Sequence, residues 1–272
     1  MRDGSILLRD TPLEGIVSTR TRATEVVRDL KFSFNSNEFF QVNPQALDLM
    51  VDYVEAEATR PIASGGSSSA VGATADAEPG SAMATHQVEA HQRHPRFLVD
   101  AYCGVGLFAI SLAKHFETVL GVEVSAPAVE LATHNAAINS IANCTFTAGD
   151  SANIFQSDEL SALDPASTVL VIDPSRKGCD ASFRQQLLDF GPARVVYVSC
   201  NYLTQARDVG LLLQGGLYTV SKVQPVDLFP QTKHVENVIT LDRTDGIHGT
   251  AAKQPQTRQK TQCLTATVPP IC

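Results

Sequence analysis

Phe97-Leu98-Val99-Asp100-Ala101-Tyr102-Cys103-Gly104-Val105-Gly106 carries a short apolar run straight into a glycine-spaced turn. Such a run reads as a buried strand feeding a helix. Its glycines let the backbone turn tightly and approach a ligand at the helix N-terminus. Working outward, strands are expected at 97–101, 118–124, 144–148, 168–173, 194–199, 218–226 and 235–241, and helices at 106–116, 126–140, 152–160, 182–190 and 203–213. Strands alternating with helices imply a parallel sheet covered on both faces. The last two strands have no helix between them, so they are expected to pair antiparallel. The expected fold is α/β, with a seven-stranded, mostly parallel sheet and an antiparallel last strand.

Upstream, the alternation over 31–34 suggests a strand. Asn43 can cap a helix with Pro44 at its first position. That helix is expected over 44–57, burying Leu47, Met50, Val51 and Val54. Residues 59–95 are rich in Ser, Gly, Ala and Thr and have almost nothing to bury, which predicts a disordered insert. His86, His91 and His94 lie there without a core to fix a ligand geometry. Residues 243–272 are polar and aperiodic, a predicted disordered tail. The division is therefore 1–58, a lead-in ending in a helix; 59–95, the insert; 96–242, the main domain; and 243–272, the tail.

The composition, 43% hydrophobic and 18% charged over 272 residues, is that of an ordinary globular protein able to bury a core. The net charge of -8 opposes nucleic-acid binding in bulk, because neutralised phosphates supply much of that affinity. A local basic patch or a separate module would have to offset it. The six cysteines, at 103, 144, 179, 200, 263 and 272, form no C-x-x-C pair and no zinc-finger spacing, so no metal is expected. With no signal peptide and no apolar run of membrane length, the expectation is a reducing intracellular compartment, cytoplasm or nucleus with the mitochondrion left open, and no membrane partner.

Doubly wound sheets bind ligands beyond the carboxyl ends of their strands. The unusual residues of this chain fall there: Tyr102, Gly104 and Gly106 after the first strand of the series, Glu123 ending the second, Asp150 after the third, Asp173 ending the fourth and Ser199-Cys200-Asn201 after the fifth. Glu123, about 20 residues beyond the loop, is placed to accept hydrogen bonds from ribose hydroxyls. The spacing Gly104-x-Gly106-x-x-Ala109 also fits a dinucleotide fingerprint, so the loop alone leaves a nicotinamide oxidoreductase open beside an S-adenosylmethionine enzyme. Most free cysteines are small buried hydrophobes. The strand-end position of Cys200 and its polar neighbours argue instead for a nucleophile, which needs partial exposure and a lowered pKa. Arg176 and Lys177 are expected near it. Glu236 taken alone reads as a solvent-facing strand acid.

Five ordered motifs extend this reading. They are Phe39-Phe40-Gln41-Val42-Asn43, Asp100-Ala101-Tyr102-Cys103-Gly104-Val105-Gly106, Asp173-Pro174-Ser175-Arg176-Lys177-Gly178, Tyr197-Val198-Ser199-Cys200-Asn201, and Asp227-Leu228-Phe229-Pro230-Gln231-Thr232-Lys233-His234-Val235-Glu236. Together they resemble the RNA 5-methyluridine methyltransferases, the tRNA (uracil-5-)-methyltransferase family, across residues 30–242 apart from the insert. The wording of 178–210 is most similar to the fungal tRNA enzymes. The resemblance implies a Rossmann-like class I methyltransferase fold, S-adenosyl-L-methionine as donor and an RNA substrate, tRNA before ribosomal RNA, acted on by a monomer. It implies Cys200 as nucleophile, Glu236 as general base, and Gln41, Tyr102, Gly104, Gly106, Glu123, Asp150 and Asp173 around the donor. The family usually has proline where this chain has Ser175 and Tyr202. It also usually begins with a small barrel and a fuller central region, so the resemblance implies an N-terminally shortened chain, for which an inactive family member is the alternative.

Overall fold

The computed structural model describes residues 22–35, 43–63, 92–149, 154–155, 157–244 and 264–265. The chain opens with a hairpin of β1 (Arg22–Val27) and β2 (Leu30–Asn35), followed by helix α1 (Pro44–Thr59) and the two-residue strands β3 (Ile62–Ala63) and β4 (Gln92–Arg93). The alternating body then runs β5 (Phe97–Ala101), α2 (Leu107–Leu112), β6 (Thr118–Glu123), α3 (Ala126–Ile138), β7 (Cys144–Ala148), α4 (Asp158–Ser161), β8 (Thr168–Ile172), α5 (Ala181–Phe190), β9 (Arg194–Ser199) and α6 (Tyr202–Leu213). It closes with β10 (Tyr218–Asp227), β11 (Glu236–Arg243) and β12 (Leu264–Thr265).

The main sheet has the order β12-β10-β11-β9-β8-β5-β6-β7. β5 to β9 are mutually parallel, and β11 runs antiparallel between β9 and β10. The winding reverses between β5 and β8, which makes that crevice the switch point. Both faces of the central strands are covered, so successive residues bury on opposite sides. Leu98, Val169, Val171, Val196 and Val198 pack with α1 and α2, while Val99, Leu170, Ile172, Val195 and Tyr197 pack with α5 and α6.

α1 forms as its sequence dictates. The Asn43 side chain accepts a hydrogen bond from the Ala46 amide at 3.3 Å, Pro44 takes the first turn, and Leu47, Met50, Val51 and Val54 are fully buried. The Asn43 amide also donates to the Leu228 carbonyl, fixing the helix start beside the segment that leads to Glu236. At the other end Arg194, 1% exposed, donates to the carbonyls of Glu57, Arg60 and Pro61 and to Asp242. This satisfies carbonyls a helix C-terminus otherwise leaves open.

Several boundaries differ from expectation. β1 was not anticipated, because its exposed alternate residues leave little apolar signal. Its hairpin is held by the buried Asn135 of α3, which accepts from the Ser33 amide and donates to the Ser33 and Val105 carbonyls. Of the helix expected at 152–160, the described residues give a 3-10 turn at 154–155 and α4 at Asp158–Ser161, started by the Ser157 side chain accepting from the Leu160 amide. The helix expected to reach 116 stops at Leu112 and tightens into a turn at Ala113–His115. The expected insert loses its ends: Thr59 belongs to α1, and β3 pairs antiparallel with β4. The expected tail likewise yields Arg243 to β11, and Leu264–Thr265 adds an eighth strand parallel to β10. Residues 64–91, with His86 and His91, and residues 245–263 and 266–272 lie outside the described residues.

Candidate active site

The loop after β5 has left-handed backbone at Tyr102 (φ 64°), Gly104 (φ 53°) and Gly106 (φ 90°). The two glycines serve different needs. A Cβ on Gly106 would stand 2.9 Å from Ile110 Cδ1 and 3.2 Å from Phe146 Cζ, so its lack of a side chain lets α2 pack closely. Gly104 would meet nothing within 4 Å and faces open space. Glu123 closes the loop from the neighbouring strand end, accepting from the Gly104 amide at 3.1 Å and the Ser125 amide at 3.0 Å. Beneath it, Asp100 is 1% exposed. One carboxyl oxygen accepts from the Ala109 amide at 2.8 Å and the other has no partner. Burial pushes the Asp100 carboxyl up to about 7. Tyr102 lays its ring against Phe183, 5.2 Å between centroids.

Cys200 lies between Ser199, the end of β9, and Asn201, the N-cap of α6. The turn is tied locally: the Asn201 amide donates to Ser199 Oγ at 3.0 Å, and the Leu203 amide donates to the Asn201 side chain at 3.1 Å. β11 pairs antiparallel with β9, Asn237 opposite Ser199. The ladder ends at that pair; Cys200 and Glu236 are the next residues outward, and they lie close enough that the Glu236 carboxyl acts on the Cys200 thiol. Burial, Glu236 and Asp173 push the Cys200 thiol up, and the Arg176 guanidinium beside it works the other way. Glu236 is 2% exposed, and burial pushes its carboxyl up to about 7 against the pull of Arg176. Asp173, at the end of β8, is raised well above the carboxylate range by burial, Glu236 and Asp100. The solvent-facing reading of Glu236 is therefore overturned, because the β9–β11 register turns it inward.

The structure brings Tyr102, Gly104, Gly106, Glu123, Asp173, Cys200 and Glu236 to the carboxyl edge of the sheet. Gln41 and Asp150 lie outside the described residues. Arg176 and Lys177 were expected together, yet they diverge. The Gly178 amide donates to the Ser175 carbonyl, closing a turn that leaves Arg176 in a cleft of about 290 Å³ with Cys200, Lys233 and His234. Lys177 turns to a neighbouring cleft with Tyr102, Arg184 and Arg207. Arg184 and Arg207 are paired there with Asp208, while Arg176, Lys177 and Lys233 are exposed.

Asp208 of α6 was missed. Fully buried, it accepts from the Cys179 amide (2.7 Å), the Tyr197 hydroxyl (2.9 Å), Arg184 (3.0 Å) and Arg207 (2.9 Å). A Cβ on Gly178 would lie 2.3 Å from its carboxylate, so the turn carrying Arg176 is seated directly on it. Asn201 and Thr204 also donate to the Arg176 carbonyl. The signal for Asp208 was available: with Gln205, Val209 and Leu212 it fills the inward stripe of α6, where a lone acid needs partners.

Two buried carboxyls with raised pKa, Asp100 and Glu236, fix the sign of a pH effect. Between the unfolded and folded values the native chain holds protons that the unfolded chain has released. Their stabilisation is thus complete at low pH and lost as pH rises through about 7. The lowered groups, Glu55 and Asp242, act below this window. We expect the urea midpoint of the unliganded chain to fall from pH 5 to pH 8, by a stability of the order of a few kcal/mol. A flat or rising midpoint would refute the assignment.

A winding reversal bearing glycines, with a thiol and a carboxyl meeting at the ends of adjacent strands, defines a Rossmann-like domain of the class I methyltransferase type. More particularly, the chain belongs to the tRNA (Uracil-5-)-methyltransferase family, whose model matches residues 73–244. It is 39% identical over 250 residues to a tRNA (uracil(54)-C(5))-methyltransferase of Schizosaccharomyces pombe, covering 89% of this chain and 42% of that one. It is 35% identical to the protein of the same name from Saccharomyces cerevisiae, covering 84% of this chain and 32% of that one. Among solved structures, it resembles the Pyrococcus abyssi tRNA (uracil-54, C5)-methyltransferase in complex with S-adenosyl-L-homocysteine, with a TM-score of 0.59 and 26% identity over 81% of this chain and 44% of that one. The chain thus spans less than half the length of each of these relatives. Family membership removes the nicotinamide reading that the glycine spacing left open. Among the described residues no helix is long and apolar enough to cross a membrane, and no cluster of His, Cys, Asp or Glu could hold a metal ion.

Proposed function

We propose that this chain carries the catalytic centre of an S-adenosyl-L-methionine-dependent methyltransferase acting on carbon 5 of a tRNA uridine, the T-loop uridine; the relatives are named for uracil 54. The observation that carries the reading is the nearness of Cys200 and Glu236 just past the end of the β9–β11 ladder, at the carboxyl edge that also holds the β5–β8 switch point. The donor fits this edge. Open space at Gly104 admits it, Glu123 offers a carboxylate for ribose hydroxyls, and Asp100 has a buried, unpartnered oxygen. Asp173 and Glu236 add acidic groups that suit a positively charged sulfonium. When bound, the donor supplies an electrophilic methyl group.

Carbon 5 of uracil is too weak a nucleophile to take that methyl group unaided. The Cys200 thiolate adds to carbon 6, and the ring electrons move to give an enolate that is nucleophilic at carbon 5. Once carbon 5 is methylated, Glu236 takes its proton, the electron pair re-forms the 5,6 double bond, and the Cys200 sulfur leaves with its electrons. One difficult step becomes two easier ones. Arg176, beside both groups, favours the thiolate and the carboxylate. The uridine must leave its stack to enter the cleft.

The test is tritium transfer from methyl-labelled S-adenosyl-L-methionine to unmodified tRNA, with nuclease mapping of the label. We expect label in 5-methyluridine of the T-loop. Donor binding without transfer to any tRNA would overturn the reading for this chain.

A further inference from the structure

The fold does not explain the side chain that follows the Cys200 turn. Tyr202 is the first residue of α6, a position that requires only a dispensable N–H and helical backbone. Its side chain has no hydrogen bond or ring contact among the described residues. It is 56% exposed, and its neighbour Leu203 is 67% exposed. Tyr202 lines the cleft that holds Cys200, together with Arg176, Lys233 and His234. An exposed aromatic side chain in a cleft that also carries Arg176 and Lys233 is complementary to a base on a phosphate backbone.

We infer that Tyr202 is a stacking platform for the RNA base adjacent to the target uridine, an inference that rests on the proposed RNA substrate. The Cα atoms of Cys200 and Tyr202 are at most about 7 Å apart and both residues line one cleft, which sets the ring beside the base next to the one the sulfur meets. When the uridine turns into the cleft, the adjacent base loses a stacking partner. Tyr202 replaces that partner, and Lys233 takes a flanking phosphate. Stacking reads a π face and not a hydrogen-bond pattern, so it adds affinity and positioning without selecting the base.

The experiment uses the full chain and two T-arm hairpin RNAs, each with 2-aminopurine on one side of the target uridine. Fluorescence quenching reports stacking, a titration gives Kd, and tritium transfer gives kcat and KM. We expect quenching in one of the two RNAs, retained by Tyr202→Phe and lost in Tyr202→Ala and Tyr202→Pro. The Ala variant should bind RNA about 5- to 150-fold more weakly. Its KM for RNA should rise more than its kcat falls, and donor affinity should not move. A wild-type chain that methylates RNA while Tyr202→Ala keeps the same Kd and quenching would overturn the stacking role alone. A wild-type chain that neither binds nor methylates RNA would overturn that role together with the proposed function.

Discussion

Cys200→Ala is expected to reduce methyl transfer to background, a loss of more than about 10⁴-fold, with donor affinity unchanged. The size follows from the role: removing a covalent nucleophile abolishes the route instead of weakening it, and losses of this order are typical of such removals. The separation of the two readouts follows from the geometry. The thiol sits after β9, whereas the loop that would receive the donor follows β5, with β8 between them. Removing one half-buried sulfur disturbs neither the Asn201 cap nor the Glu123 bonds that shape that loop. Calorimetry with S-adenosyl-L-homocysteine, beside the tritium assay, checks both halves. Turnover retained by the Ala variant would exclude the covalent route.

Glu236→Gln should slow turnover by about 10²–10⁴-fold, the usual worth of a general base. It should also accumulate a protein–RNA adduct that survives denaturant, because addition of Cys200 no longer ends in loss of the carbon 5 proton. Gln keeps the volume of a side chain that is 2% exposed, so the fold should hold. The wild-type rate should rise with pH through an inflection at or below about 7, where burial holds the Glu236 carboxyl. Donor charge can only lower that value. The Gln variant should lose the inflection. No adduct on a denaturing gel, with methylation intact, would dismiss Glu236 as the base.

The central sheet was legible because its strands are buried on both faces and read as unbroken apolar runs, and α1 because Asn43-Pro44 announces its first turn. β1 was not: alternate residues of Arg22–Val27 face water, and its hold on the body passes through Asn135, over 100 residues away. The site divided in the same way. Strand ends could be located, so Cys200 and the glycine loop were placed. The meeting of Glu236 with Cys200 depends on β11 inserting between β10 and β9 in one register, which is a pairing between distant segments. The parting of Arg176 from Lys177 depends on one turn, set by Gly178 at φ 75°.

The β3–β4 pair has a consequence for how this domain can be altered. Ala63 and Gln92 face each other across that small ladder, so the chain leaves and returns at adjacent points. The ladder adjoins the start of β5 and the end of α1, at the amino edge of the sheet, opposite the carboxyl edge that carries the thiol. Closing a longer loop between fixed ends adds only about 0.6 kcal/mol per doubling of its length. This is therefore a splice point: a change of length between the two strands costs little closure entropy and falls on the rim away from the thiol.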